Sequence, residues 1–315
     1  MTGSKPPPLP APRPSLVKPL AICAAIGCGG WLALNAGAGG YTLPPPDKRE
    51  VPPLAGVIGR EDRVPLAEFA PDDPDAFPGW EEAVAAVVRI SCDGSAAGGG
   101  VLIGDGDRML SAAHVFLEDN GRPRPRNAGC VAVSTTGDRV RMDVTRLKAG
   151  PFRVPEALSN HLSVGITRTD WVVVRLEHVP EGARPLPIAT AEQITLDEHY
   201  PVLNVSGATD NFATDGFIAQ TCGYRGVPPS ASALDAAGEI YGRLAQEGDE
   251  WLVARYDCDA GAGSSGSPII GWHEGAPYVW GIVTDSLRGD ERCPDVGYNF
   301  CYTAGPLVTA MDIVP

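Results

Sequence analysis

Three short stretches carry residue types that together do nucleophilic chemistry. Ser265 lies in Gly263-Ser264-Ser265-Gly266-Ser267-Pro268, His114 ends Ser111-Ala112-Ala113-His114, and Asp170 heads Asp170-Trp171-Val172-Val173-Val174. A serine hydroxyl is a weak nucleophile at neutral pH and needs a base within hydrogen-bond reach. Histidine titrates in the useful range, and a carboxylate on its other ring nitrogen fixes the tautomer and stabilises the imidazolium. A serine between small residues, two positions after a glycine, suits a tight turn. On such a turn the N–H groups of Gly263 and Ser265 converge on one spot, as an oxyanion hole requires. The bland alternatives are a Gly/Ser-rich surface loop at Ser265 and a strand-start carboxylate at Asp170. His161, His178, His199 and His273 sit in no comparable pattern and read as surface or structural residues.

Elements able to position such groups are short strands. Val84-Ala85-Ala86-Val87-Val88 with Ile90, Gly98 through Gly104, Val131 to Val133, Val140 to Val144, Val172 to Leu176, Val202 to Val205, Phe217 to Ala219, Ile269-Ile270, Val279 to Ile282 and Phe300 to Tyr302 are apolar or alternating runs set between turn signals. Ile240-Tyr241 and Trp251 to Val253 add two more. Trp80 to Arg89 reads as a short helix leading into a strand. Gly 38 and Pro 31 suit a loop-rich all-β chain better than a helical one. No internal repeat is evident.

The totals exclude other classes. A net charge of −14 over 315 residues argues against nucleic acid as a partner, because phosphate binding needs basic patches. No C-x-x-C or H-E-x-x-H spacing occurs, so neither a zinc site nor any other metal is expected. No cofactor is implied, and no dense carboxylate loop of the kind that binds calcium is present.

The N-terminal part is organised differently. Residues 1–18 are proline-rich with Lys5, Arg13 and Lys18, and read as a cytoplasmic tail. Residues 19–38 contain no charge, and about 20 apolar residues span a bilayer as a helix. The basic flank stays inside, which sends the rest of the chain outward. Three readings remain open: a signal peptide cut after Ala36-Gly37-Ala38, a retained signal anchor, and lipid attachment at Cys28. Each predicts a secreted or periplasmic chain, with membrane association if the segment is kept. Residues 39–55 are a Pro/Gly-rich linker, and the main domain is expected over 56–315.

The order His114, Asp170, Ser265, with the motif around each, resembles the chymotrypsin-like serine proteases, and within them the bacterial branch around the glutamyl endopeptidases. The resemblance runs from about Gly56 onward and includes Val57-Ile58-Gly59-Arg60-Glu61-Asp62-Arg63, which is similar to that group's mature N-terminal segment. It implies two antiparallel six-stranded β-barrels with the active site in the cleft between them, closed by a C-terminal helix for which Leu307 to Ile313 is the candidate. It also implies Ser265 as nucleophile, His114 as general base and then acid, Asp170 as the orienting carboxylate, and a protein or peptide substrate cut by a monomer.

Departures from the family bear on specificity. The aspartate that pairs with a new N-terminal amine in digestive relatives is Ser264 here. The glutamyl enzymes' threonine and pocket histidine correspond to Ala260 and Val283, so glutamate is not expected before the cut. Asp259 stands where trypsin-like enzymes carry the aspartate that recognises Lys or Arg, which suggests a basic preference; the alternative is an aspartate that caps a turn. Thr284 to Ser286 is the expected edge for backbone pairing with substrate, with Thr284 and Ser286 facing it. Eight cysteines include Cys23 and Cys28 in the apolar segment, and the other six suit disulfides. One pairing among the fifteen possible is Cys92–Cys130, Cys222–Cys258 and Cys293–Cys301.

Two other classes compete. An α/β-hydrolase esterase needs Gly-x-Ser-x-Gly and the order Ser, Asp, His, but Ser267 replaces the last glycine and only His273 follows the serine. A non-catalytic binding module or a zymogen on the same fold shares every motif above.

Overall fold

The computed structural model describes residues 62–154, 168–195, 200–207, 216–224, 253–261, 263–287, 302–311 and 313. The segments 1–18, 19–38 and 39–55, His161, His199 and the Cys293–Cys301 pair lie outside them. Among the described residues no helix is long and apolar enough to cross a membrane.

Strand β1 is Val64–Pro65, and helix α1, Trp80–Val84, leads into β2, Val87–Cys92. Then follow β3 (Ser95–Ile103), β4 (Arg108–Ser111), the one-turn helix α2 (Ala113–Phe116), β5 (Cys130–Ser134), β6 (Arg139–Ala149) and β7 (Val172–Leu176). β2 to β7 are antiparallel and close on themselves in the order β2-β3-β4-β7-β6-β5. Closure abolishes free edges. Ile90, Leu102 and Leu110 are fully buried. Cys92 faces Cys130 in the β2–β5 register, and the two form a disulfide.

The second half contains β8 (Pro201–Ser206), β9 (Ile218–Gly223), β10 (Val253–Tyr256), β11 (Pro268–His273), β12 (Ala276–Ile282), β13 (Asp285–Leu287) and β14 (Tyr302–Pro306). Two sheets, β1-β9-β8-β11-β12 and β10-β14-β13, are joined by single bridges at Tyr224–Tyr256 and Gly281–Leu307. The ring β8-β9-β10-β14-β12-β11 is thereby complete, a second antiparallel six-stranded barrel. β1 is added beside β9 and β13 beside β14. A second disulfide, Cys222–Cys258, ties the end of β9 to the residues after β10. The chain end differs from the expected closing helix. Only a 3-10 turn, Val308–Ala310, follows β14, in a stretch whose β-branched Val308 and Thr309 disfavour longer helix.

Tyr256 is buried in the second barrel, 5.9 Å from the Tyr224 ring, and its hydroxyl has no hydrogen-bond partner among the described residues. Burial pushes its phenol far above the usual tyrosine range. The folded state therefore keeps a proton that the unfolded chain loses near pH 10. Stability is expected to be complete below that pH and to fall as pH rises above it. Tyr256→Phe should flatten this alkaline fall and leave neutral-pH stability equal or higher, since it deletes an unsatisfied hydroxyl. Melting temperatures of both proteins from neutral to alkaline pH check this.

Candidate active site

β4 ends at Ser111, and after the extended Ala112 the chain makes the single turn that carries His114. Ser111 Oγ donates to the Gly99 carbonyl at 2.7 Å, which fixes this corner against β3. Asp170 immediately precedes Trp171 and β7, and it is 2 % exposed. One of its oxygens, Oδ1, accepts the His114 backbone N–H at 2.8 Å. The other, Oδ2, lies 2.6 Å from His114 Nδ1. A carboxylate only accepts, so in the neutral imidazole that pairs with it Nδ1 carries the proton and Nε2 the lone pair. Because both oxygens engage the same residue, ring and main chain are oriented together. Arg124 Nε donates to the His114 carbonyl at 3.0 Å and braces the turn from its other side.

The Ser265 loop is built differently, almost wholly from its own backbone. Ser264 N–H donates to Gly261 O and Ser267 N–H to Ser264 O, each at 3.0 Å, while Ser264 Oγ accepts the Gly261 N–H, also at 3.0 Å. Gly266 N–H donates to Val283 O at 2.6 Å, and Val283 N–H to Ser267 O at 2.8 Å. Three N–H groups between Gly263 and Ser267 are thus engaged. The other two, on Gly263 and Ser265, donate to no described residue. Gly263 has φ +91° and Gly266 φ +83°, a region costly for residues with a Cβ.

The two barrels meet at this loop. Gly99 N–H donates to Ser265 O at 2.8 Å. A Cβ on Gly98 would lie 2.7 Å from Ser265 O and 2.9 Å from Val115 Cγ2. One on Gly266 would strike Ser111 Oγ, the Gly99 carbonyl and Ala112 N, so the Ser265 loop rests on the corner that leads to His114. Read as sequence, Gly98 to Gly100 is only the glycine-rich entry to a strand. Three glycines heading a run of buried aliphatic residues were the available sign of a close approach. Arg124 and Ser111 carried no such sign. Gly98→Ala is expected to lower kcat/KM by roughly 10²-fold, because a displacement of about 1 Å in reacting groups has that effect. Steady-state kinetics beside a melting curve separate this from unfolding.

Around the loop, Asp259, Ala260, Val283 and Thr284 are buried, and Ser286 lies in β13 opposite Thr303. His178 and His273 lie apart: Nε2 of His178 is 4.0 Å from Asp138 Oδ2, and the His273 ring meets Tyr278 edge-on. Among the described residues no cluster of His, Cys, Asp or Glu is arranged to hold a metal ion.

Residues 98–279 match the family model of the trypsin-like peptidase domain, more than half of the chain. The chain belongs to the trypsin-like peptidase family. The matched span of this peptidase begins at Gly98 and takes in His114, Asp170 and Ser265. Among solved structures, the secreted serine protease VesC from Vibrio cholerae superposes with a TM-score of 0.51 at 14% identity, over 77% of this chain and 46% of VesC. The peptidase thus spans about half of VesC's length, and at that identity the likeness is one of fold. A Glu endopeptidase solved in complex with MPD gives a TM-score of 0.49 at 15% identity, over 81% of this chain and 94% of that one. Neuropsin, a serine protease expressed in the limbic system of mouse brain, gives 0.49 at 13%, over 75% and 93%. No curated protein matches the chain.

Proposed function

We propose that this peptidase is an exported serine endopeptidase that hydrolyses peptide bonds through an acyl-enzyme. Ser265 Oγ attacks the scissile carbonyl and passes its proton to His114 Nε2. The tetrahedral oxyanion is received by the N–H groups of Gly263 and Ser265. His114 then gives the proton to the leaving amine, and water repeats the sequence in reverse to release the acid. The 2.6 Å contact between Asp170 and His114 Nδ1 carries this reading, because it leaves Nε2 basic. β13, at the end of its sheet order among the described residues, is the candidate edge for the substrate backbone. Export is supported by the two disulfides, which persist in oxidising compartments, and by the uncharged stretch 19–38. VesC, similar in fold, is itself a secreted serine protease.

The expectation of Lys or Arg before the cut rests on Asp259 alone, and that carboxylate already accepts a backbone N–H. A fluorophosphonate probe followed by peptide mapping tests the catalytic assignment. Label on Ser265 and on no other serine is expected. A folded protein that never reacts there would turn the reading toward a binding module or an unprocessed zymogen.

A further inference from the structure

We propose that Asp259 is a positioning residue that ties the segment after Asp62 to the nucleophile loop, and that the enzyme therefore takes an uncharged, apolar residue before the cut. This rests on the serine endopeptidase reading. Asp259 is 2 % exposed, and its Oδ2 accepts the Asp62 N–H at 2.9 Å across 197 positions of sequence. Its main chain is held as firmly: the N–H donates to Gln220 Oε1 at 2.9 Å, and the carbonyl accepts from Gln220 Nε2 at 2.6 Å. The same Gln220 Nε2 reaches Asn204 Oδ1 at 3.3 Å, and Asn204 Nδ2 donates to Pro268 O at 2.9 Å. Asn204 and Gln220 are buried. One polar chain thus runs from Asp62 through Asp259, Gln220 and Asn204 to Pro268, bracketing Ser265 from both sides in sequence.

The Asp62 end is not loose. Arg63 is buried, Val64 and Pro65 pair with Ala219 and Ile218, and Leu66 N–H donates to Phe217 O at 2.8 Å. A lysine or arginine seeking Asp259 meets a buried carboxylate already engaged by an amide of this segment, and an incoming cation left without its counter-charge is strongly disfavoured in a buried site. Ala260 beside Asp259 and Val283 across from Gly266 offer hydrocarbon side chains, and Thr284 adds an uncharged hydroxyl. An apolar side chain meets no such obstacle.

The test pairs a peptide-library cleavage profile of the full chain with Asp259→Asn and Asp259→Leu. The native enzyme is expected to cut after apolar residues about 10²-fold faster than after Lys, Arg or Glu. Asp259→Leu, which cannot accept the Asp62 N–H, should lower kcat about tenfold or more for every peptide with KM little changed. Asp259→Asn, which keeps an acceptor, should lose less, and neither variant should alter the rank order of residues. A native preference for Lys or Arg that Asp259→Asn alone removes would overturn the proposal. Benzamidine binding to Ser265→Ala, followed by calorimetry, decides the matter without turnover. No binding at millimolar concentration is expected, and micromolar binding abolished by Asp259→Asn would refute the anchoring role. Fluorophosphonate labelling on the same preparations shows separately whether the endopeptidase reading stands.

Discussion

Ser265→Ala is expected to lower kcat by about 10⁶-fold while leaving the melting temperature close to that of the parent chain. The two halves of this expectation come from different atoms. The loop is held by main-chain groups: Ser265 O accepts from Gly99 N–H, and Gly266 and Ser267 pair with Val283. None of those bonds uses Ser265 Oγ, so its removal leaves the turn intact. The proposed oxyanion donors, being backbone, survive too. What remains is a site that binds and polarises a peptide carbonyl but has no nucleophile, and such sites retain about 10³–10⁴-fold over water. Turnover of a peptide substrate with active-site titration measures the loss. A variant that kept even a percent or so of parental kcat would place the nucleophile elsewhere.

Asp170→Asn is expected to lower kcat about 10⁴-fold at neutral pH, again with little change in stability. Asp170 presents two acceptors to two donors of one residue, the main-chain N–H and the Nδ1–H of His114. Asparagine presents one acceptor and one donor. If its oxygen stays on the main-chain N–H, its amide faces Nδ1, which must then give up the proton to Nε2. An Nε2 that already holds a proton cannot take the one from Ser265. Measuring kcat against pH for parent and variant checks this: the variant should recover rate toward alkaline pH, where deprotonated Ser265 no longer depends on the imidazole as base. A loss below about tenfold would mean that Asp170 does not set the tautomer.

The sequence was most readable where information is local. The strand β7 behind Asp170 opens on three buried valines, and the turn at Ser265 is written in glycines that need φ above zero. The all-β character follows from repeated apolar runs between turn residues. Long-range approach was not readable in the same way. Asp259 reads in sequence as a pocket base or a turn cap, and its contact with Asp62 lies 197 positions away, beyond any periodic signal. The second barrel closes through single bridges at Tyr224–Tyr256 and Gly281–Leu307, and a lone bridge leaves no alternating pattern to detect. The chain end failed for a local reason, since a few β-branched residues after Pro306 sustain one 3-10 turn and no more.

The meeting of the barrels at Gly98 and Gly99 also sets a timetable. β2 to β7 end at Leu176, so a growing chain can close its first barrel, with His114 already facing Asp170, well before Ser265 has been synthesised. Chains of this size fold unit by unit from the N-terminus. On the proposed mechanism, the half-made molecule then owns a base but no nucleophile. Chemistry waits for the final docking step, when Ser265 O finds Gly99 N–H. If the proposed endopeptidase assembles in this order, peptide cleavage begins only once both barrels have been made.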